Sequence, residues 1–130
     1  MIFHEKFIIN QINAGVLKKI AAVVAHEKIF AVVEALKKIG VGGITILDAK
    51  GWGKGARSQM TSQRGTGSYT ARFNIKNYLI TVVDDSMVNK VVTAIIEAAG
   101  TDSPGDGKIF IDTVEDAIDI GSKQKGMHAI

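Results

Sequence analysis

The chain repeats itself at an offset of 59 residues, and that echo restricts its fold more than any other feature. An apolar run at residues 20–24 is answered by another at 79–83. Short runs of this kind, bounded by turn signals, read as strands. Ala25-His26-Glu27 follows the first run and Asp84-Asp85-Ser86 the second. The latter is a strong helix start, because a side-chain oxygen there can accept from the free N–H groups of a first turn. Ile29, Val32, Val33 and Leu36 then stand at i, i+3, i+4 and i+7, and Val88, Val91, Val92 and Ile95 repeat the spacing. Each set makes one apolar helix stripe suited to lying on a sheet. Gly40 and Gly100 end the two patterns and can supply left-handed caps. A further strand follows each helix, at 44–47 and 108–112.

The order is therefore βαβ, long loop, βαβ. Two such units pack most simply as an α+β, ferredoxin-like βαββαβ domain, a four-stranded antiparallel sheet with both helices on one face. The other face would carry Ala21, Val23, Thr45, Leu47, Ile80 and Val82. Soluble monomers seldom leave a wide apolar face bare, so self-association is expected.

The loop between the units has its own chemistry. From Asp48 to Asp84 there is no intervening carboxylate, while Lys50, Lys54, Arg57, Arg64, Arg72 and Lys76 fall inside. Those six cations exceed the net charge of +3, so the rest of the chain is slightly acidic. One basic feature on a neutral body suits a defined anionic partner better than general polyanion affinity. Glycines at 51, 53, 55, 65 and 67 keep the segment from packing as a core. Loops longer than about 12–15 residues inside a compact domain are usually functional or disordered.

Other classes recede. At 130 residues the chain is one domain in size. It has no cysteine, which excludes thiol catalysis and cysteine zinc sites. No apolar run approaches the roughly 20 residues a membrane helix needs, and Met1-Ile2-Phe3-His4-Glu5-Lys6 does not read as a secretory signal, so a cytoplasmic location is expected. His4, His26 and His128 are scattered without metal-ligand spacing, and no catalytic triad or carboxylate pair emerges. An enzyme is not expected. Glu115, Asp116 and Asp119 read as a short solvated helix. Gly105-Asp106-Gly107-Lys108 can be a tight turn or a phosphate cradle, in which glycines bare the backbone N–H groups and the lysine adds charge.

From Lys18 to about Ile120 the chain resembles the PII signal-transduction (nitrogen regulatory) proteins. The resemblance rests on Lys18-Lys19-Ile20, Ala35-Leu36 through Gly40, Gly43-Ile44-Thr45, Lys50-Gly51-Trp52-Gly53, Arg64-Gly65, Ser68-Tyr69-Thr70-Ala71-Arg72-Phe73 and Gly105-Asp106-Gly107-Lys108-Ile109-Phe110. It implies a homotrimer with a nucleotide site in each cleft between subunits. The loop, at about 53–72, would be the T-loop, which docks on targets such as an ammonium transporter, a nitrogen-metabolism enzyme or a regulator. No nucleic acid and no membrane insertion are implied. Residues 1–17 would be an extension and 18–130 the domain proper.

By the same resemblance, an adenine nucleotide (ADP, AMP or ATP) would contact Thr45, Gly51, Trp52, Gly53, Lys54, Gly105, Asp106, Gly107 and Lys108. Trp52 is expected to pack beneath the loop rather than to stack on the base. Lys76 matches the family lysine for 2-oxoglutarate, with Gln59 a candidate beside it, and Tyr69 matches a loop tyrosine that is modified in some relatives or touches targets. Two departures qualify this. Relatives carry Arg-x-Arg where this chain has Asp119-Ile120-Gly121, which sets a carboxylate near the place of the outer phosphates. Relatives also carry a glutamine, holding magnesium and 2-oxoglutarate, where Gly55 stands. A PII-like sensor of another metabolite, without the usual ATP and 2-oxoglutarate response, is therefore one alternative. A nucleic-acid-binding ferredoxin-like protein is the other, although Tyr78 and Phe110 are the only aromatics of the third and fourth strands.

Overall fold

Strand β1 (Leu17–Ala25) shows why the sheet has two different faces. Ile20, Ala22 and Val24 turn to one side and are almost fully buried. Lys19, Ala21 and Val23 turn to the other, because successive side chains of a strand alternate. The computed structural model describes residues 15–53, 59–61, 68–70 and 72–130, with the two short segments given by their backbone. Beyond β1 the elements are α1 (Ile29–Ile39), β2 (Thr45–Gly51), β3 (Gln59–Thr61), β4 (Ser68–Thr70), β5 (Asn74–Asp84), α2 (Val88–Ala99) and β6 (Gly107–Val114). The main sheet runs β2-β5-β1-β6, antiparallel at every joint. This is the ferredoxin-like arrangement that the repeat implied. The strands are longer than their apolar runs, since the ladder continues into polar residues. None of the described helices is long and apolar enough to cross a membrane.

The core lies between the sheet and the helices. Ile20, Ala22, Val24, Leu79 and Val83 meet Ile29, Val32 and Leu36 of α1 and Val91, Ile95 and Ala99 of α2. Burying each large aliphatic side chain is worth about 1.5–3 kcal/mol, so this layer dominates stability. Both helices begin through a single 3-10 turn, at His26–Lys28 and Asp85–Met87. Asp84 caps the second turn, accepting from the Ser86 N–H at 2.9 Å and from the Ser86 hydroxyl.

The two glycine stops differ. Gly40 adopts φ 85°, ψ 34°, and Val41 N–H returns to Leu36 O, closing α1 as expected. Gly100 is extended (φ −77°, ψ 140°), not left-handed. Its N–H still reaches Ile96 O at 2.8 Å, and the chain then leaves straight into a loop organised by Asp106.

Within the long loop β3 and β4 pair antiparallel, Met60 opposite Tyr69, into a two-stranded arm. One further expectation is corrected. The acidic residues after β6 form no helix. Asp119 instead closes a turn, accepting from Ser122 N–H at 2.8 Å while its carbonyl takes Lys123 N–H, and Ile118 bridges to Lys125. Acidic side chains favour such local backbone bonds over helix interiors.

The face away from the helices is apolar and bare. Across it the register aligns Thr45, Ile80, Ala21 and Phe110 in one row and Leu47, Tyr78, Val23 and Lys108 in the next. Leu47 is 52% exposed and Phe110 50%.

Candidate functional site

The bare face ends in two clefts, at opposite ends of β2. The larger, about 450 Å³, lies where β2 and β5 run out towards the arm and the 101–107 loop leads into β6. Gly51, Trp52 and Gly53 form one wall, Pro104, Gly105, Gly107 and Lys108 the other, and Val23, Lys76 and Phe110 the floor. The smaller, about 250 Å³, is lined by Gly42, Gly43, Thr45, Ile80 and Val82, with Ala129 and Ile130 closing it. The carboxy-terminal residue lies so close to Gly42 that a Cβ there would meet the Ile130 carbonyl carbon at 2.9 Å.

Of the residues singled out in the sequence, Gly51, Trp52, Gly53, Gly105, Gly107, Lys108 and Lys76 therefore share one cleft. Thr45 does not join them. It sits in the second cleft, six residues along β2, or about 20 Å at the usual rise per residue. Lys54 lies outside the described residues, as do the side chains of Gln59 and Tyr69 and most of the amino-terminal extension. Trp52 is not tucked under the loop as expected, since it is 68% exposed along the cleft wall. Its indole lines the same cleft as Phe110.

The 101–107 loop is held by its own carboxylate. Asp106 accepts from the Thr101 hydroxyl and Thr101 N–H, both at 2.5 Å, and from Ser103 N–H at 3.1 Å. These bonds, the Thr101 hydroxyl foremost, hold the Asp106 pKa below the ordinary carboxylate value, and the Lys76 charge adds to them. So Asp106 shapes the cradle, and its carboxylate is spent before any ligand arrives. A carboxylate whose pKa is depressed in the folded state contributes stability that is fully present above its unfolded pKa of about 4. That contribution disappears as pH falls through the lower folded value. Hydrogen-exchange protection of Thr101 and Ser103 is expected to be level above about pH 5 and to drop below pH 4. Asp106→Asn should abolish the dependence, and protection unchanged down to pH 3 would contradict this role.

Gly107 and Lys108 are placed by the strand ladder. Gly107 has φ 131°, and a Cβ on it would lie 1.8 Å from Val23 O, so β1 and β6 approach here only because the residue is glycine. Lys108, opposite Val23, projects onto the bare face beside Phe110. At the other wall, Gly51 leaves room for Lys76, whose Cγ would stand 3.0 Å from a Cβ there. Lys76 crosses this gap and its Nζ donates to Gly105 O at 2.7 Å.

On the helix side, sequence reasoning missed a polar chain that joins β2, β5 and the turn after β1. Asn77 is 3% exposed, and its Nδ2 donates to Asp48 Oδ1 at 3.2 Å. Its Oδ1 is therefore the acceptor towards His26 Nδ1 at 2.8 Å, which places the imidazole proton on Nδ1. Burying an amide unpaired would cost about 1–3 kcal/mol. Nothing in one residue's neighbours foretold this, since the partners come from three different strands and turns.

The family model for nitrogen regulatory protein P-II matches residues 17–124. The chain belongs to the PII family. Curated relatives agree: the nitrogen regulatory protein P-II of Azospirillum brasilense is 39% identical over 114 residues, spanning 88% of this chain and all of the relative. That of Nostoc punctiforme is also 39% identical over the same share of each. Among solved structures, Arabidopsis thaliana PII bound to citrate superposes with a TM-score of 0.71 at 32% identity, covering 89% of this chain and 94% of that one. A Bacillus subtilis GlnK–ATP complex shares the fold with a TM-score of 0.70 at 24% identity, covering 89% and 99%. Both curated relatives are named as regulatory proteins.

Among the described residues no group of three or more histidines and carboxylates could hold a metal ion, and the carboxylate nearest the cleft, Asp106, is already bonded. Any magnesium would depend chiefly on the oxygens of a bound phosphate.

Proposed function

We infer that this PII protein is a non-catalytic sensor and adaptor. Three copies assemble with their bare sheet faces inward, and an adenine nucleotide occupies each cleft between neighbours. Its binding state governs how the arm engages a target, such as an ammonium transporter, a nitrogen-metabolism enzyme or a regulator. The observation that carries this reading is the division of the candidate residues between two clefts on one bare apolar face. A single chain cannot bring Thr45 to Lys108, whereas a neighbour's Thr45 cleft can close against this chain's Lys108 cleft. The solved GlnK–ATP complex shows a nucleotide in a protein of the same fold.

In this arrangement the backbone of the 105–108 turn and the Lys108 ammonium take the phosphates. Gly51 and Gly53 allow close approach, and Trp52 and Phe110 offer apolar faces to ribose or base. The C-terminal turn argues for a short phosphate chain. Asp119, where relatives have arginine, is tied up with Ser122 and held below the ordinary carboxylate pKa mainly by the Ser122 N–H. It therefore stays anionic and gives no cationic clamp for a γ-phosphate.

Calorimetric titration with AMP, ADP and ATP, each with and without magnesium and 2-oxoglutarate, tests the reading. Micromolar binding is expected for at least one nucleotide, with ATP no tighter than ADP and no enhancement by 2-oxoglutarate. Absence of binding by all three would remove the proposed ligand.

A further inference from the structure

We propose that the amino-terminal extension, residues 1–14, docks in an apolar groove between α2 and β6 of its own chain and braces one wall of the larger cleft from behind. This holds whether or not a nucleotide occupies that cleft.

At about 640 Å³ the groove exceeds either cleft on the bare face, and it lies on the opposite side of the sheet. Ile109 and Ile111 pair with Ala22 and Ile20, whose side chains belong to the core, so they turn away from Lys108 and Phe110. Ile95, Ile96 and Ala99 of α2 supply the other bank. Ile96 is nevertheless 58% exposed and Ile111 48%. Among the described residues β6 has only β1 beside it. Folded chains generally cover an open edge strand flanked by exposed isoleucines.

The extension suits the groove in composition and in reach. It carries Ile2, Phe3, Phe7, Ile8, Ile9 and Ile12, with no glycine or proline. It joins the fold at Gly15, whose φ of 78° turns the chain off the line of β1. That junction lies just beyond the Leu17–Val114 pair, at the far end of β6 from Gly107. The ladder between Val114 and Gly107 is about 23 Å long at the usual rise. Residues 1–14 can extend to about 46 Å. Phe3 and Phe7 can therefore reach the groove with chain to spare for the turn. Docking on the helix side also leaves the bare face free for other copies.

The groove and the larger cleft have one wall in common. Pro104, Gly107 and Lys108 line both. Apolar side chains packed behind that wall limit how far it can retreat, because close-packed neighbours transmit displacement. The extension thereby acts on the cleft without entering it.

NMR on the full chain provides the test. The chain has no cysteine, so a nitroxide can be attached at a single introduced one. Placed at Glu97→Cys, an exposed position next to Ile96, it should weaken the amide signals of residues 2–9 severalfold. Placed at Lys38→Cys, near the end of α1, it should leave them unchanged. Adding Phe3→Ser and Phe7→Ser to the Glu97-labelled chain should restore the signals and speed amide exchange at Gly105 and Gly107 severalfold. Undiminished signals with the label at 97 would overturn the docking. So would the same loss in isotope-enriched, unlabelled chains mixed with nitroxide-bearing ones, which would seat the extension on a neighbouring copy. Signals restored by the serine changes with exchange at Gly105 and Gly107 unaltered would overturn the bracing.

Discussion

A single methyl group on Gly107 lowers the unfolding free energy by about 3 kcal/mol or more and abolishes nucleotide binding, as the expected result of Gly107→Ala. Two independent penalties coincide. The backbone stands at φ 131°, a region that side-chain-bearing residues rarely adopt. The added Cβ would also lie 1.8 Å from Val23 O, a carbonyl on a central strand that cannot retreat without breaking its own ladder. Strain at such a φ costs about 1–3 kcal/mol, and displacing β1 from β6 costs hydrogen bonds in addition. Urea denaturation gives the stability loss. A midpoint within error of the unaltered protein would show that the β1–β6 approach is not as tight as described.

Lys108→Glu should instead spare the fold and destroy the site. Its side chain is exposed beside the cleft, so the stability change is expected to stay within about 0.5 kcal/mol. For an anionic ligand the change is twofold. A charge-assisted bond worth about 1.5 kcal/mol or more is lost, and repulsion of similar size replaces it. Together, about 3 kcal/mol corresponds to more than a 100-fold loss of affinity, read by calorimetry. A loss below tenfold would place the phosphates elsewhere.

The fold was legible because its determinants are local and repeated. Val88, Val91, Val92 and Ile95 carry the same phase as Ile29, Val32, Val33 and Leu36, and each set fits a helix over a sheet. The bare face was legible too, since alternation along β1 and β5 leaves Ala21, Val23, Ile80 and Val82 nowhere else to go. What escaped the sequence depends on partners far along the chain. Gly100 is extended because Asp106, six residues later, bonds Thr101 and takes over the turn. Trp52 stands out along the cleft wall just past the end of β2, which its place between two glycines does not foretell. The Asp48–Asn77–His26 chain and the Lys76–Gly105 bond need the sheet register before either can be seen. Thr45 illustrates the remaining gap: motif matching groups it with Lys108, while the folded single chain holds the two on opposite edge strands of the sheet, β2 and β6.

That separation makes subunit complementation the most direct measurement. Lys108→Glu spoils the larger cleft, and Thr45→Trp fills the smaller, so neither homotrimer should bind nucleotide although light scattering finds both at trimer mass. Co-expressed and mixed at random, the two chains should regain about one functional site in four, wherever an intact Lys108 cleft meets an intact Thr45 cleft. Binding by the Thr45→Trp homotrimer at full affinity, or no recovery in mixed trimers, would contradict a nucleotide site shared between neighbouring chains.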